Sequence, residues 1–190
     1  IDLRRDGAKV RPIKNMAGGE DFNEVVFEDV VVPKDRIVGE AGNGWAQVTS
    51  ELAYERSGPE RFLSAFRVFV ELVRFCGPEP TEYQATVIGR IASHIMTLRR
   101  MSISVAGMLE SGKDVVVEAA LVKELGNNFE KLLPELARVV GSDGFSDFSR
   151  DGDLFRRTFE DTMLLSPSFT LRGGTREILR GVIARGLGLR

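Results

Sequence analysis

The sequence predicts a mainly α protein: an antiparallel four-helix bundle preceded by a short β segment. Three observations predict it. From Gly42 onward, apolar residues recur at helical spacing along three long stretches. Glycine and proline pairs interrupt those stretches and leave only short connections, which favours antiparallel neighbours. Residues 1–40 instead carry β-branched runs bounded by turn residues. The expected division is therefore 1–40 as the last strands of a β-domain and 41–190 as a helical-bundle domain.

In the β segment, Lys9–Ile13 reads as a short strand closing at Pro12, and Glu24–Val32 (EVVFEDVVV) as a second that stops at Pro33. Gly18-Gly19-Glu20-Asp21 marks the turn between them. Two or three strands do not make a stable sheet alone. This piece is expected to complete a β-domain whose other strands lie outside the chain, and the chain to be a fragment of a longer protein.

Among the helices, Phe62, Phe66, Phe69, Val73 and Cys76 form a first apolar stripe, broken by Gly77-Pro78-Glu79-Pro80. Val87, Ile91, Ile95, Leu98, Ser102, Val105 and Leu109 form a second, ended by Ser111-Gly112 in the manner of a glycine C-cap. Val117, Leu121, Leu125, Phe129, Leu132, Leu136 and Val139 form a third. Gly141–Gly152 reads as a loop, Leu154–Leu164 as a shorter helix and Thr175–Leu187 as the last. Thr175 is placed to cap that last helix, with Ile178, Ile183 and Leu187 toward a core and Arg176, Arg180 and Arg185 toward water or an acidic partner.

Composition excludes several function classes. A formal net charge of −2, with basic and acidic residues interspersed, gives no nucleic-acid footprint. No apolar run approaches the roughly 18 residues that span a bilayer, and no secretory signal is expected. The single cysteine, Cys76, excludes an internal disulfide and fits a reducing compartment, so a cytoplasmic location is expected. With one histidine, His94, and no cysteine pair, no zinc site is indicated. His94 reads as a packing residue. Gly141-Ser142-Asp143-Gly144 lacks the Lys-Ser/Thr and the preceding strand of a phosphate loop.

The segment Ala53-Tyr54-Glu55-Arg56 is the strongest candidate for chemistry. Pro59 has no N–H, so the carbonyl of Glu55 loses its helical donor four residues on. The helix is expected to kink, restart or hold water there, beside a carboxylate. A plain structural kink explains the same residues.

Two motifs carry a resemblance. Phe22–Pro33 reads FNEVVFEDVVVP and is followed by Gly39-Glu40-Ala41-Gly42-Asn43-Gly44; Gly173–Ile178 reads GGTREI. Together they resemble the junction (FNEVFFDDVRVP, then Gly-Glu-x-Gly-x-Gly) and the C-terminal GGTxEI turn of the acyl-CoA dehydrogenases. The resemblance covers nearly the whole chain and implies the end of the family's middle β-domain plus its C-terminal four-helix bundle. It implies a flavin adenine dinucleotide (FAD) cofactor between those two domains, an acyl-CoA substrate, an electron-transfer flavoprotein as electron acceptor, and a homodimer or homotetramer. The implied reaction is α,β-dehydrogenation of the acyl thioester. The chain alone, lacking the strands that hold the flavin ring, is expected to be inactive.

The resemblance also implies roles for residues. Most members place the catalytic glutamate immediately before the Gly-Thr of the C-terminal turn, where this chain has Gly173. The isovaleryl and long-chain branches supply it from the first bundle helix, just before an arginine, which here falls on Glu55 and Arg56. Glu55 is therefore the implied base, with Ala53, Tyr54, Arg56 and Gly174 lining the substrate. A carboxylate suits this role because burial against an acyl chain raises its pKa toward the working pH. For the cofactor, the family's Arg-x-x-Phe-Gly becomes Val73-Arg74-Phe75-Cys76-Gly77, with Arg74 displaced by one position, about 100° around a helix. Gln84 matches a flavin contact. Gln-x-x-Gly-Gly becomes Arg138-Val139-Val140-Gly141-Ser142. Thr175 and Glu177 align with the terminal flavin-binding turn, where a helix N-terminus offers free N–H groups. The changed cofactor motif and Gly173 leave open a non-catalytic subunit of a mixed oligomer, and an unrelated helical interaction bundle remains a third reading. Straight, branched and sterol side-chain thioesters are all allowed.

Overall fold

The computed structural model describes residues 1–4, 6–142 and 149–189. The chain divides into two compact units, Ile1–Ser50 and Glu51–Arg190.

The first unit holds an antiparallel hairpin of β1 (Ala8–Ile13) and β2 (Phe22–Phe27), in register from Ala8 opposite Phe27 to Ile13 opposite Phe22. Asn15 closes the connection: its Oδ1 accepts from the Ala17 and Gly19 amides, and Gly18 takes φ +87°. Pro12 lies within β1, opposite Asn23, as a strand with one unpaired edge permits. The second strand ends at Phe27, short of the expected Val32, and Asp29 then turns the chain at φ +54°. Val10, Ile13, Phe22, Val25 and Phe27 are all exposed. Trp45, near the start of α1 (Gly44–Ser57), is 82% exposed.

In the second unit, α1 ends at Ser57 and a single 3-10 turn, Pro59–Arg61, follows. The expected interruption at Pro59 is therefore present. Then come α2 (Phe66–Cys76), α3 (Glu82–Glu110), α4 (Val116–Val140), α5 (Arg150–Leu165), a 3-10 turn at Ser166–Thr170, and α6 (Arg176–Gly186). Thr81 and Gln84 start α3 with a reciprocal capping box, and Gly112 (φ +73°) ends it, as the Ser111-Gly112 pair predicts. Ser149 caps α5, whose first turn takes in Gly152. The expected Gly141–Gly152 loop is thus shorter at its far end, and its residues 143–148 lie outside the described residues.

Helices α2 to α5 form the antiparallel bundle, with α4 at its centre: α2, α3, α5 and α6 all pack against it. This position explains where the stripes succeed and fail. On α3, packed along one side, Val87, Ile91, Leu98 and Val105 are buried as expected. On α4 only Phe129 of the expected stripe is buried. The buried face is Ala119, Ala120, Val122, Lys123, Asn127, Glu130, Leu133 and Ala137, while Leu125 and Val139 are 44% and 50% exposed. A helix flanked on several sides buries small and polar residues where neighbours approach closely, so apolar spacing alone misorients it. On α2 the buried residues are Val68, Glu71 and Leu72, with Phe66 and Val73 partly exposed, and Phe62 packs into the core from ahead of the helix. On α6 it is Leu179 that is buried, with Ile178 and Leu187 exposed. His94 stacks on Phe129 with ring centroids 5.6 Å apart, a packing role.

Candidate active site

The site is built where the end of α1 meets the turn before α6. Gly173 (φ +68°) and Gly174 (φ +110°) take left-handed backbone that side chains strain to adopt. Arg56 Nε donates to the Gly173 carbonyl oxygen at 3.0 Å, tying this turn to α1 across 117 residues. Burial pushes the Arg56 guanidinium below its usual range, with the Glu55 charge opposing. Glu55 points at the same turn: a Cβ added at Gly173 would lie 3.2 Å from Glu55 Oε1 and 3.6 Å from the Arg61 guanidinium carbon. The α1 carboxylate expected from the sequence therefore lies against the Gly173 turn.

Arg61, which the sequence reading passed over, is 8% exposed and holds Glu55 twice, from Nε to its carbonyl oxygen (2.9 Å) and from Nη2 to Oε1 (2.5 Å). Its signal was available: an arginine two residues after a proline that frees a carbonyl. Ala53 packs against the core, and Tyr54, 63% exposed, lines a 340 Å³ cavity with Ser57, Pro59, Ser102 and Leu109. Ser102, the one polar member of the α3 stripe, donates to the Ser57 carbonyl oxygen at 2.6 Å and ties α3 to the end of α1.

Beneath the turn lies a charged layer on α4 that the sequence did not signal. Lys123, fully buried, donates to Asn127 Oδ1 and, at 3.0 Å, to the Phe169 carbonyl oxygen. Glu130, also fully buried, accepts from the Ser64 amide (2.8 Å) and Arg172 Nη2 (3.2 Å), and Arg172 lies 4.9 Å over the Phe169 ring. These bonds fix the Phe169–Gly174 segment on one side and the α1–α2 connection on the other. On α6, Arg176 and Arg180 find their acidic partner within the chain, both donating to Glu124 Oε1, at 3.2 and 2.9 Å.

Burial lowers the Lys123 pKa from 10.5 to about 8; Glu130 opposes this, while Arg172 and Arg61 reinforce it. The folded state then releases this proton near pH 8, whereas the unfolded chain keeps it to about 10.5. Between those values the unfolded state binds more protons, so stability rises with pH. Melting temperatures of the full-length protein are expected to carry this rise, and Lys123→Met to flatten it. An unchanged slope in Lys123→Met would assign the rise to another group.

The cofactor candidates occupy two places. Arg74, Gln84, Arg138, Gly141 and Ser142 sit at the end of the bundle where α2 and α4 finish and α3 begins. Arg74 pairs with Glu71 (3.0 Å) and Arg138 with Glu135 (3.1 Å); both arginines are more than half exposed. Gln84 serves the capping box. Gly141 is buried, and a Cβ there would run into the Phe155 ring, so its glycine serves the packing of α4 on α5. Ser142 is exposed. Thr175 and Glu177 instead open α6, beside Gly174. Thr175 sits at the N-cap position without a side-chain cap bond, and the Glu177 amide and Thr175 hydroxyl hold the Glu177 carboxyl below its usual range. At one place stand two exposed guanidiniums, each paired with a carboxylate on its own helix; at the other the Glu177 carboxyl already accepts one of the free amides of the helix N-terminus. Among the described residues no cluster of His, Cys, Asp and Glu could hold a metal ion, and no helix is long and apolar enough to cross a membrane.

Residues 42–188 match the family model described as acyl-CoA dehydrogenase, C-terminal domain. The chain belongs to the acyl-CoA dehydrogenase family. It is 28% identical over 196 residues to the acyl-CoA dehydrogenase IpdE1 of Mycolicibacterium smegmatis, a match covering 100% of this chain and 48% of that protein. It thus spans about half the length of that relative. Among solved structures, the Tcur3481-Tcur3483 steroid ACAD G363A variant superposes with a TM-score of 0.81 at 19% identity, over 99% of this chain and 51% of that one. The ChsE4-ChsE5 complex from Mycobacterium tuberculosis does so with a TM-score of 0.76 at 24% identity, over 99% and 51%. These neighbours share the bundle fold of the acyl-CoA dehydrogenase C-terminal domain.

Proposed function

We propose that this chain is the C-terminal part of an enzyme that oxidises an acyl-CoA to the 2,3-enoyl-CoA, with Glu55 as the base. The observation that carries the reading is the 3.2 Å between Glu55 Oε1 and the Cβ position of Gly173. In this reading a carboxylate on α1, lying beside the turn, does the work that most of the family assign to a glutamate on the turn itself. Glu55 takes the α-proton, and the electron pair left behind forms the new double bond as the β-hydrogen departs with its own pair. A bound FAD would supply the two-electron acceptor for that hydride. Arg56 and the two glycines keep the turn close to α1, and Tyr54 and Ala53 stand on the same helix as substrate-side wall. Arg74 and Arg138 would meet cofactor phosphates at the bundle end, and the start of α6 would meet the cofactor beside Glu55. An electron-transfer flavoprotein would be the electron acceptor of the whole enzyme.

Residues 1–40 belong, in this reading, to a β-domain completed by strands outside the chain, which accounts for the exposed apolar side chains of the hairpin. The chain alone is inactive. Half-exposed apolar residues along α4, including Leu125 and Val139, support association into a dimer or tetramer. The location is cytoplasmic. A second reading, a non-catalytic subunit of a mixed oligomer, draws on Gly173 and the displaced Arg74.

A flavin absorbance spectrum of the full-length protein decides between the two. Bleaching of a bound flavin band on addition of acyl-CoA is the expected result. A colourless protein that takes up no added flavin would favour the partner subunit.

A further inference from the structure

The Glu55–Arg61 pair is tied together by the backbone as well as by charge. Because Pro59 has no N–H, the Glu55 carbonyl oxygen has no helical donor. Arg61 Nε takes that oxygen, and Nη2 of the same guanidinium takes Oε1 of the same residue. One rigid planar fork thus grips the main chain and the side chain of Glu55 together. The fork is itself packed in place. Arg61 is buried, and its own carbonyl oxygen abuts Gly126 of α4, where any Cβ would strike it. Glu55, by contrast, keeps 42% of its side chain exposed, available to a ligand.

We infer that Arg61 is a positioning residue that holds the Glu55 carboxylate at the Gly173 turn in the orientation proton abstraction requires, and that Pro59 contributes by freeing the carbonyl oxygen that anchors it. The inference rests on the reading of Glu55 as the base. Without the fork, the glutamate regains its side-chain rotamers, and a displacement of about 1 Å at a reacting group costs about 100-fold in rate. Lysine preserves the charge but not the fork, since an ammonium on a flexible stem does not reproduce the two coplanar bonds.

The test uses the full-length holoenzyme with Arg61→Met, Arg61→Lys and Pro59→Ala, and Glu55→Gln as reference. Arg61→Met is expected to lower kcat about 100-fold while KM stays within about threefold, because the lost interaction orients the reacting group rather than binding substrate. The kinetic isotope effect with an α-deuterated acyl-CoA should rise, as proton abstraction becomes the slow step. Arg61→Lys should restore only part of kcat. Pro59→Ala, which returns a backbone donor to the Glu55 carbonyl, should lower kcat in the same direction. If Arg61→Met fails to fold, the other two variants carry the test. Wild-type kcat and isotope effect in both Arg61→Lys and Pro59→Ala would overturn the inference. Turnover retained in Glu55→Gln would instead remove the base assignment. Loss of turnover there, with the Arg61 and Pro59 variants unaffected, would remove the clamp alone.

Discussion

Glu55→Gln in the full-length protein is expected to lower turnover by about a thousandfold or more, within or above the range a positioned general base supplies, with folding and flavin content retained. The amide keeps the shape of the side chain and an oxygen toward Arg61, so the loss reports proton acceptance rather than packing. The geometry adds a second arm. Since a Cβ at Gly173 would lie 3.2 Å from Glu55 Oε1, Glu55→Gln combined with Gly173→Glu should return part of the activity, roughly 10- to 100-fold over the single variant, allowing for the positive φ at Gly173. That backbone costs a non-glycine residue on the order of 1–2 kcal/mol. The measurement is kcat with acyl-CoA alongside the melting temperature. A folded, flavin-loaded double variant no more active than Glu55→Gln would show that the two positions do not serve one reacting atom.

The second large effect concerns stability. Gly126 lies inside α4, where replacing glycine by alanine normally gains about 1 kcal/mol. Here a Cβ would strike the Arg61 carbonyl oxygen and crowd Phe62. Gly126→Ala is therefore expected to destabilise by about 2–3 kcal/mol, the cost of overpacking against an unyielding backbone. For a protein of this size that lowers the melting temperature by roughly 4–12 °C. Gly107→Ala on α3, exposed and with nothing near its Cβ position, supplies the opposite sign. A Gly126→Ala protein as stable as Gly107→Ala would mean that α4 and the Pro59–Arg61 turn can separate freely.

Much of this architecture was legible because it follows from local rules. Pro59 ends a helix wherever it stands, and Gly112 closes α3. The α3 stripe was read correctly because a helix packed along one side displays its period. The stripe of α4 was misread for the complementary reason. Its neighbours reach it from several directions, and the residues that meet them, Ala119, Lys123, Gly126, Asn127 and Glu130, are chosen for close approach and for hydrogen bonds made with segments distant in sequence. The candidate site divides in the same way. Glu55 was singled out through its helix break and through resemblance. The convergence of Glu55 with Gly173, separated by over a hundred residues, and the grip of Arg61 depend on tertiary placement that no local pattern encodes.

The hairpin has a consequence for how the chain behaves in bulk. Among the described residues β1 and β2 pair only with each other, so each presents an unsatisfied row of backbone donors and acceptors along its outer edge, flanked by exposed Phe22, Phe27 and Ile13. Such an edge is a template for adding strands from other molecules. A concentrated solution of these 190 residues alone therefore has a colloidal weak point in the hairpin, where strands of separate molecules can add to one another.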